Sequence, residues 1–340
     1  MQSVVEKDRQ SRRSASVGQS RPASVPGPVP AIHSDVTSAY ATSRRVLYAL
    51  AVIIGAVFIA GFWNYHLVDG FGRDVVAGKM IGDTSELAGG YVQYGTGFGF
   101  LFAIVAGLAA TFTACNCVVF AMIPGLACSS DHPGEPARPW RALATFVAGV
   151  TIVCLVYGGY VGLLGADGVE AYNAREVRLA QAQLVFSTIG LVMLVWGLIE
   201  MGFLDRITTR LSPAVRSRLS SATTKAAIIG LLVGFFAIGR PFPVFREFLT
   251  YAASAQNPIY GAAVMAVQGI GQIIVMVLVF ALLFALAGRR IMRWASEHPH
   301  KPQLVSGLAL LGGGAFFVYY WGLAFLFDIG QWGMKLGWYG

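Results

Sequence analysis

Long apolar runs separated by short polar stretches make up most of the chain after residue 45. A helix needs about 20 apolar residues to cross about 30 Å of hydrocarbon, and every run reaches that length. The pattern therefore predicts seven membrane-spanning helices, at residues 46–65, 92–127, 141–165, 182–204, 224–250, 258–288 and 303–327. Residues 1–43 are rich in Ser, Pro, Arg and Gln and lack an apolar period, which predicts a disordered tail.

Composition supports the same fold class. The chain is 56% hydrophobic and 12% charged, which leaves too few polar residues to cover a soluble domain. We therefore expect an all-α membrane protein in contact with lipid. The net charge of +8 is carried mainly by the tail and the short loops between spans, so it indicates membrane orientation and not nucleic-acid binding.

Basic residues cluster on one side of the predicted spans. They include the pairs Arg44–Arg45 and Arg289–Arg290 and the basic loop between spans 4 and 5. By the positive-inside rule this side is the cytoplasm. The N-terminus should then be cytoplasmic, and the C-terminal tail, residues 328–340, extracytoplasmic. The first apolar run begins too far from the N-terminus for a secretory signal, so we expect a multi-pass protein of the bacterial inner membrane.

Two of the runs, 92–127 and 224–250, are too long or too interrupted for straight helices. Proline removes a backbone donor and clashes with the preceding helical turn. The helix breaks should therefore lie at a Pro-Gly pair in the first run and at a proline-rich stretch in the second, which together comprise Pro124, Gly125, Gly239, Pro241 and Pro243. A membrane tolerates such breaks only where protein or water satisfies the freed carbonyls.

The sequence also contains a weak internal repeat. A shift of 125 residues places 117–120 over 242–245, with small residues before both stretches. Spans 2–4 and 5–7 then form two repeats, residues 92–204 and 224–327, which enter the membrane from opposite sides because each contains three spans. Inverted repeats of this kind place transport sites at the midplane, where broken helices meet. Residues 44–91, an additional span with its outer connection, precede this six-helix core at 92–327.

Two stretches carry a resemblance to a known family: TACNCVVFAMIPG, residues 113–125, and GRPFPVFREFLTYAASAQNPIYGAAVMAVQGIGQI, residues 239–273. They resemble the two cysteine-bearing helices of the DsbD and CcdA transmembrane thiol-disulfide carriers, also called the cytochrome c biogenesis transmembrane region. The resemblance covers residues 92–325. It implies transfer of reducing equivalents from cytoplasmic thioredoxin-like partners to extracytoplasmic thiols, through a disulfide between the two helices, and a role in cytochrome c biogenesis.

The sequence departs from that pattern in its second half. Span 5 contains no cysteine, and Arg240, Pro241, Phe242 or Pro243 stands where the family has its second one. A disulfide between the repeats therefore cannot form. Cys115 and Cys117, in the first half, offer instead a C-x-C pair that alternates between dithiol and disulfide within one segment.

Cys115, Cys117 and Arg240 are the candidate catalytic residues. A thiolate is the attacking species, and Arg240 would lower a cysteine pKa if the two repeats pack face to face. Gln268 and Gln272, one helical turn apart in span 6, are polar membrane positions whose simplest role is interhelical hydrogen bonding. No bound cofactor is predicted.

The sequence allows two alternative functions. Thiolates prefer soft ions such as Cu(I) and Hg(II), so Cys115 and Cys117 could be metal ligands of a transporter for a soft metal ion or another small solute. The chain could also be a non-redox structural subunit, in which free cysteines pack as small hydrophobic residues. Alkylation of the pair should depend on thioredoxin in a carrier, should be blocked by metal in a metal transporter, and should show neither effect in a structural subunit.

Overall fold

The computed structural model describes residues 32–113, 116, 139–204, 210, 212, 221–298 and 300–339. The chain divides into two units, residues 1–45 and 46–340. In the first unit, a helix begins at Ile32, within the stretch predicted to be a disordered tail. Residues 1–31 lie outside the described residues, so the tail stays a prediction.

The regular structure in the described ranges is helical. The first span and the connection after it contain α1 (Ile32–Gly61), α2 (Tyr65–Gly70), a π-helix named π1 (Phe71–Ala77), α3 (Gly78–Ile81) and α4 (Thr84–Ala88). The core contains α5 (Tyr91–Ala110), α6 (Pro139–Asn173), α7 (Arg175–Glu200), α8 (Ala222–Gly239), α9 (Pro243–Ala253), α10 (Pro258–Glu297) and α11 (His300–Phe317). The chain then forms a second π-helix, π2 (Val318–Leu323), followed by α12 (Ala324–Phe327) and α13 (Trp332–Lys335).

Within the described residues, seven helical segments are long and apolar enough to cross a membrane. They are Ser43–Gly61, Tyr91–Ala110, Pro139–Asn173, Arg175–Glu200, Ala222–Gly239, Pro258–Trp294 and Lys301–Phe327. The prediction of an all-α membrane protein with about seven spans is confirmed. Large apolar side chains such as Leu163, Leu184 and Leu286 are exposed on the bundle, where lipid is their natural environment.

The helices of the core pair in a regular way. The main contacts join α5 to α10, α8 to α6, α6 to α10, and α7 to α11. Exchanging the first three spans of the core for the last three leaves these pairs unchanged, which is the pattern expected of two three-span repeats. Glycines lie at equivalent close contacts between facing helices of the two halves. A Cβ added at Gly107 of α5 would lie 2.5 Å from the Gln268 carbonyl oxygen of α10. A Cβ added at Gly230 of α8 would meet the Phe146 carbonyl oxygen of α6. Small residues let spanning helices approach this closely.

The helix of span 2 ends earlier than the apolar pattern suggests. α5 ends at Ala110, and residues 111–113 continue as turns. The predicted break at Pro124 and Gly125 lies outside the described residues. Thr111 and Thr113 follow Ala110, but two threonines do not end an apolar run, so the pattern indicated the length of the segment and not this end.

Candidate functional site

The break in span 5 separates α8 from α9. α8 ends at Gly239, Arg240 takes an extended backbone with ψ 116°, and Phe242 is also extended with ψ 124°. Pro243 occupies the beginning of α9, where a proline fits because its missing N–H would have no helical partner there. Pro241 lies between the two extended residues and cannot continue α8.

Arg240 lies at this break and is only 1% exposed. Its Nη1 donates to Gln272 Oε1 of α10 at 2.9 Å, and its guanidinium carbon lies 5.7 Å from the centroid of the Phe245 ring. A buried charge is costly unless hydrogen bonds and favourable electrostatics replace water, and both contacts contribute to that replacement. Arg240 is therefore an interior residue, positioned by the break and by α10.

Gln272 also contacts the end of α5. Its backbone carbonyl accepts a hydrogen bond from Thr111 Oγ1 at 3.1 Å and a longer one from Asn116 Nδ2 at 3.5 Å. Gln272 thus joins the two halves of the core. Its side chain binds Arg240 of the second half, and its backbone carbonyl accepts hydrogen bonds from the turn after α5 in the first half. All four residues are buried.

The turn after α5 satisfies its own helix end. The Ala110 carbonyl accepts hydrogen bonds from Thr113 Oγ1 and Asn116 Nδ2, each at 2.7 Å. The last carbonyls of a helix have no partner within the helix, and in a membrane they need one. Thr113 and Asn116 supply it, so this polar turn can lie in an apolar environment.

A second arginine supports the break from α9. Arg246 is 3% exposed, and its Nε donates to the Arg240 carbonyl at 2.6 Å while its Nη1 donates to Asn173 Oδ1 at 3.4 Å. Its guanidinium lies over the Tyr172 ring, 5.9 Å from the centroid. The Arg240 carbonyl is one that the break removes from the helix, so Arg246 stabilises the broken geometry itself.

Gln268, one turn before Gln272 on α10, behaves differently. Its side chain is fully buried, but neither amide atom has a hydrogen-bond partner within the described part of the chain. Gln272 therefore makes the interhelical hydrogen bond expected of the pair, whereas Gln268 adds a buried polar group without such a bond in the described ranges.

Cys115 and Cys117, the predicted reactive pair, lie outside the described residues, as do Pro124, Gly125 and Cys128. Cys154 is described, and it is a fully buried free cysteine on α6 whose Sγ packs at Gly269 of α10. It follows that the structure brings together Arg240, Gln272 and the residue between the two cysteines, Asn116.

Sequence reasoning did not single out Thr111 or Asn116 as polar contacts of the site. A signal was available, because Asn116 is an amide inside an uncharged apolar run, and a polar group at membrane depth usually has a specific partner. Asp69, on the connection after the first span, was also missed. It is partly buried, and Arg240 is among the charges that act on it.

The family model for the cytochrome c biogenesis protein transmembrane region matches residues 98–315. The match covers more than half of the chain, from within α5 to near the end of α11. The chain belongs to this family. No curated protein and no solved structure matches it significantly. As a member of the cytochrome c biogenesis transmembrane family, it has Arg240, Gln272 and the turn after α5 inside the matched region, whereas α1 and its connection to α5 precede that region.

Proposed function

We propose that this protein transfers reducing equivalents across the cytoplasmic membrane by thiol-disulfide exchange, with Cys115 and Cys117 as the exchanging pair. The main support is the polar cluster in the core. Asn116, which stands between the two cysteines in the sequence, and Arg240 are both hydrogen-bonded to Gln272. A buried cation and Asn116 therefore belong to one cluster at the junction of the two halves.

The exchange reaction needs one dithiol donor and one disulfide acceptor. A reduced thioredoxin-like protein gives two electrons and two protons to the Cys115–Cys117 disulfide, which opens to a dithiol while the donor becomes a disulfide. The reverse chemistry on an extracytoplasmic disulfide then regenerates the C-x-C disulfide and reduces the acceptor. Each step passes through a mixed disulfide, in which a thiolate attacks one sulfur and the other sulfur leaves.

Arg240 has a specific role in this proposal. A thiolate in an apolar interior is costly, and a nearby positive charge lowers the pKa of the thiol and raises the fraction of nucleophile. The same positive charge opposes binding of a metal cation at the two sulfurs. The cluster therefore favours thiol exchange over the soft-metal alternative.

The test measures the redox state of the cysteine pair in inverted membrane vesicles. Thioredoxin, thioredoxin reductase and NADPH are added, the reaction is stopped with acid, and free thiols are counted with a mass-tagged maleimide. The wild type should gain two reactive thiols. The single variants Cys115→Ser and Cys117→Ser should show no thioredoxin-dependent gain, and Cys154→Ser should behave like the wild type.

The other functions give different results in the same assay. Protection of the pair by Cu(I), with no effect of thioredoxin, would support metal transport. A thiol count that responds to neither addition would support a structural subunit and would contradict the proposal.

A further inference from the structure

Two arginines come together where the connection between α6 and α7 meets α9. Arg246 belongs to α9 and is buried. Arg178 belongs to the first turn of α7 and is half-buried. Its charge acts on Arg246, so the two guanidinium groups are electrostatic neighbours.

The Arg246 guanidinium is held in one orientation. Its Nε donates to the Arg240 carbonyl, and its Nη1 donates to Asn173 Oδ1 at the end of α6. The Asn173 amide is itself oriented, because its Nδ2 donates to Thr250 Oγ1 at 3.1 Å. A guanidinium is planar and rigid, so these bonds also fix the direction of Nη2. That atom is buried and has no hydrogen-bond partner within the described ranges.

Arg178 leaves a donor in the same condition. Its Nε is buried and makes no hydrogen bond to any residue that the structure describes. The ion pairs among the described residues include neither Arg178 nor Arg246. Two neighbouring positive charges repel each other, and a buried charged donor without an acceptor is costly. A negatively charged acceptor between the two arginines would remove both costs.

The place of the pair in the fold indicates which anion this is. The apolar segments on either side of the connection end at Asn173 and begin at Arg175, so the pair lies near the level where hydrocarbon gives way to lipid headgroups. Phosphate groups are concentrated there, and a phosphate offers several oxygens that match the donors of arginine. Arg178 is the more exposed of the two, so the ligand would enter past it.

We propose that Arg246 and Arg178 bind one phosphate group between them, supplied either by the headgroup of an anionic lipid or by inorganic phosphate. The ligand neutralises two positive charges that repel each other. It also stabilises the break in span 5, because Arg246 holds the Arg240 carbonyl. The cysteine pair takes no part in this site, so the proposed redox function can fail while the site stands.

The test is a titration of the full-length protein, purified in detergent and freed of lipid, with the melting temperature as the readout. Phosphatidylglycerol and inorganic phosphate are the two probes. Diacylglycerol with the same acyl chains and chloride at the same ionic strength are their controls. At least one probe should raise the melting temperature of the wild type until the site is saturated, whereas the controls should not.

Three variants locate the effect. Arg178→Gln keeps both hydrogen bonds of Arg246 and should weaken the apparent Kd of the active probe by roughly tenfold, because a charge-assisted hydrogen bond is lost. Arg175→Gln removes the same charge from an exposed position of α7. This matched control should change the apparent Kd by less than about twofold. Arg178→Lys keeps the charge without the guanidinium fork and should recover part of the affinity.

The two probes separate the two sources of phosphate. An effect of phosphatidylglycerol alone would identify a lipid site, and an effect of inorganic phosphate alone would identify a site for the free anion. Equal weakening by Arg178→Gln and Arg175→Gln would indicate diffuse attraction to a basic surface and would overturn the site. No rise above the controls would mean that water alone hydrates the two guanidinium groups, which would also overturn it. If Arg178→Gln does not accumulate, Arg178→Lys takes its place in the comparison with Arg175→Gln.

Discussion

The two halves of the core interrupt their first helices by different means. After α5, the Ala110 carbonyl accepts bonds from the neutral side chains of Thr113 and Asn116. After α8, the Arg240 carbonyl accepts a bond from the cationic side chain of Arg246. At both breaks, a side chain a few residues further along the chain donates a hydrogen bond to a free backbone carbonyl. Lipid could not provide such a bond.

The difference lies in the chemistry that each half can contribute. The first break is neutral and leads into the segment with Cys115 and Cys117, whereas the second carries two buried guanidinium groups and no cysteine. Under the proposed function, the first half supplies the nucleophilic cysteine pair, and the second half supplies the positive charge that stabilises the thiolate. Gln272 is the residue through which the two are joined.

The largest effect should come from the glycines that let the halves approach each other. Gly107→Ala and Gly230→Ala each place a methyl group against a backbone carbonyl of the facing helix, and such overpacking costs about 3 kcal/mol. Gly97→Ala, also on α5, has no heavy atom within 4 Å of its new methyl group and should not destabilise the protein. The free energy of unfolding in SDS measures all three. Tolerance of one glycine variant but not the other would argue that the repeats do not pack equivalently.

A smaller effect should separate the two glutamines of α10. Gln272→Leu removes the acceptor for the Arg240 guanidinium, and a hydrogen bond to a charged group contributes about 1.5–3 kcal/mol. Gln268→Leu replaces a buried amide that has no hydrogen-bond partner in the described ranges, so it should leave stability unchanged or increase it. The same unfolding assay compares them. Equal losses would show that Gln268 has a partner of its own.

Arg240 itself tests the connection between the halves. Arg240→Leu should raise the pKa of the reactive cysteine by about one unit, the lower end of the effect expected from an adjacent opposite charge. Maleimide labelling at neutral pH should then be roughly tenfold slower, and Arg240→Lys should recover part of the rate. The measurement is a pH profile of labelling in each protein. Overlapping profiles for the wild type and Arg240→Leu would mean that the guanidinium does not act on the pair.

Much of the architecture could be predicted from the sequence, and the reason is physical. Membrane spans are selected by length and apolarity, which is why seven runs correspond to seven helical segments, and prolines at 241 and 243 restrict the backbone directly. The end of α5 at Ala110 was not predictable in this way, because it depends on side chains that bond after the helix has ended. The Arg240–Gln272 bond and the contact of Gly72 with Ala109 and Phe242 depend on which helix faces which, and no local pattern contains that information.

The smallest effect should distinguish two threonines in the turn after α5. Thr111 Oγ1 donates to the Gln272 carbonyl across the helix interface, whereas Thr113 Oγ1 donates within its own turn to Ala110. The Ala110 carbonyl keeps Asn116 Nδ2 at 2.7 Å when Thr113 is replaced, but the Gln272 carbonyl keeps only the 3.5 Å contact when Thr111 is replaced. Thr111→Val should therefore cost about 0.6 kcal/mol, the average for a side-chain hydrogen bond between membrane helices, and Thr113→Val should cost less. Unfolding in SDS resolves the order of the two, and a larger loss for Thr113→Val would show that the local turn, and not the contact with α10, holds the first break in place.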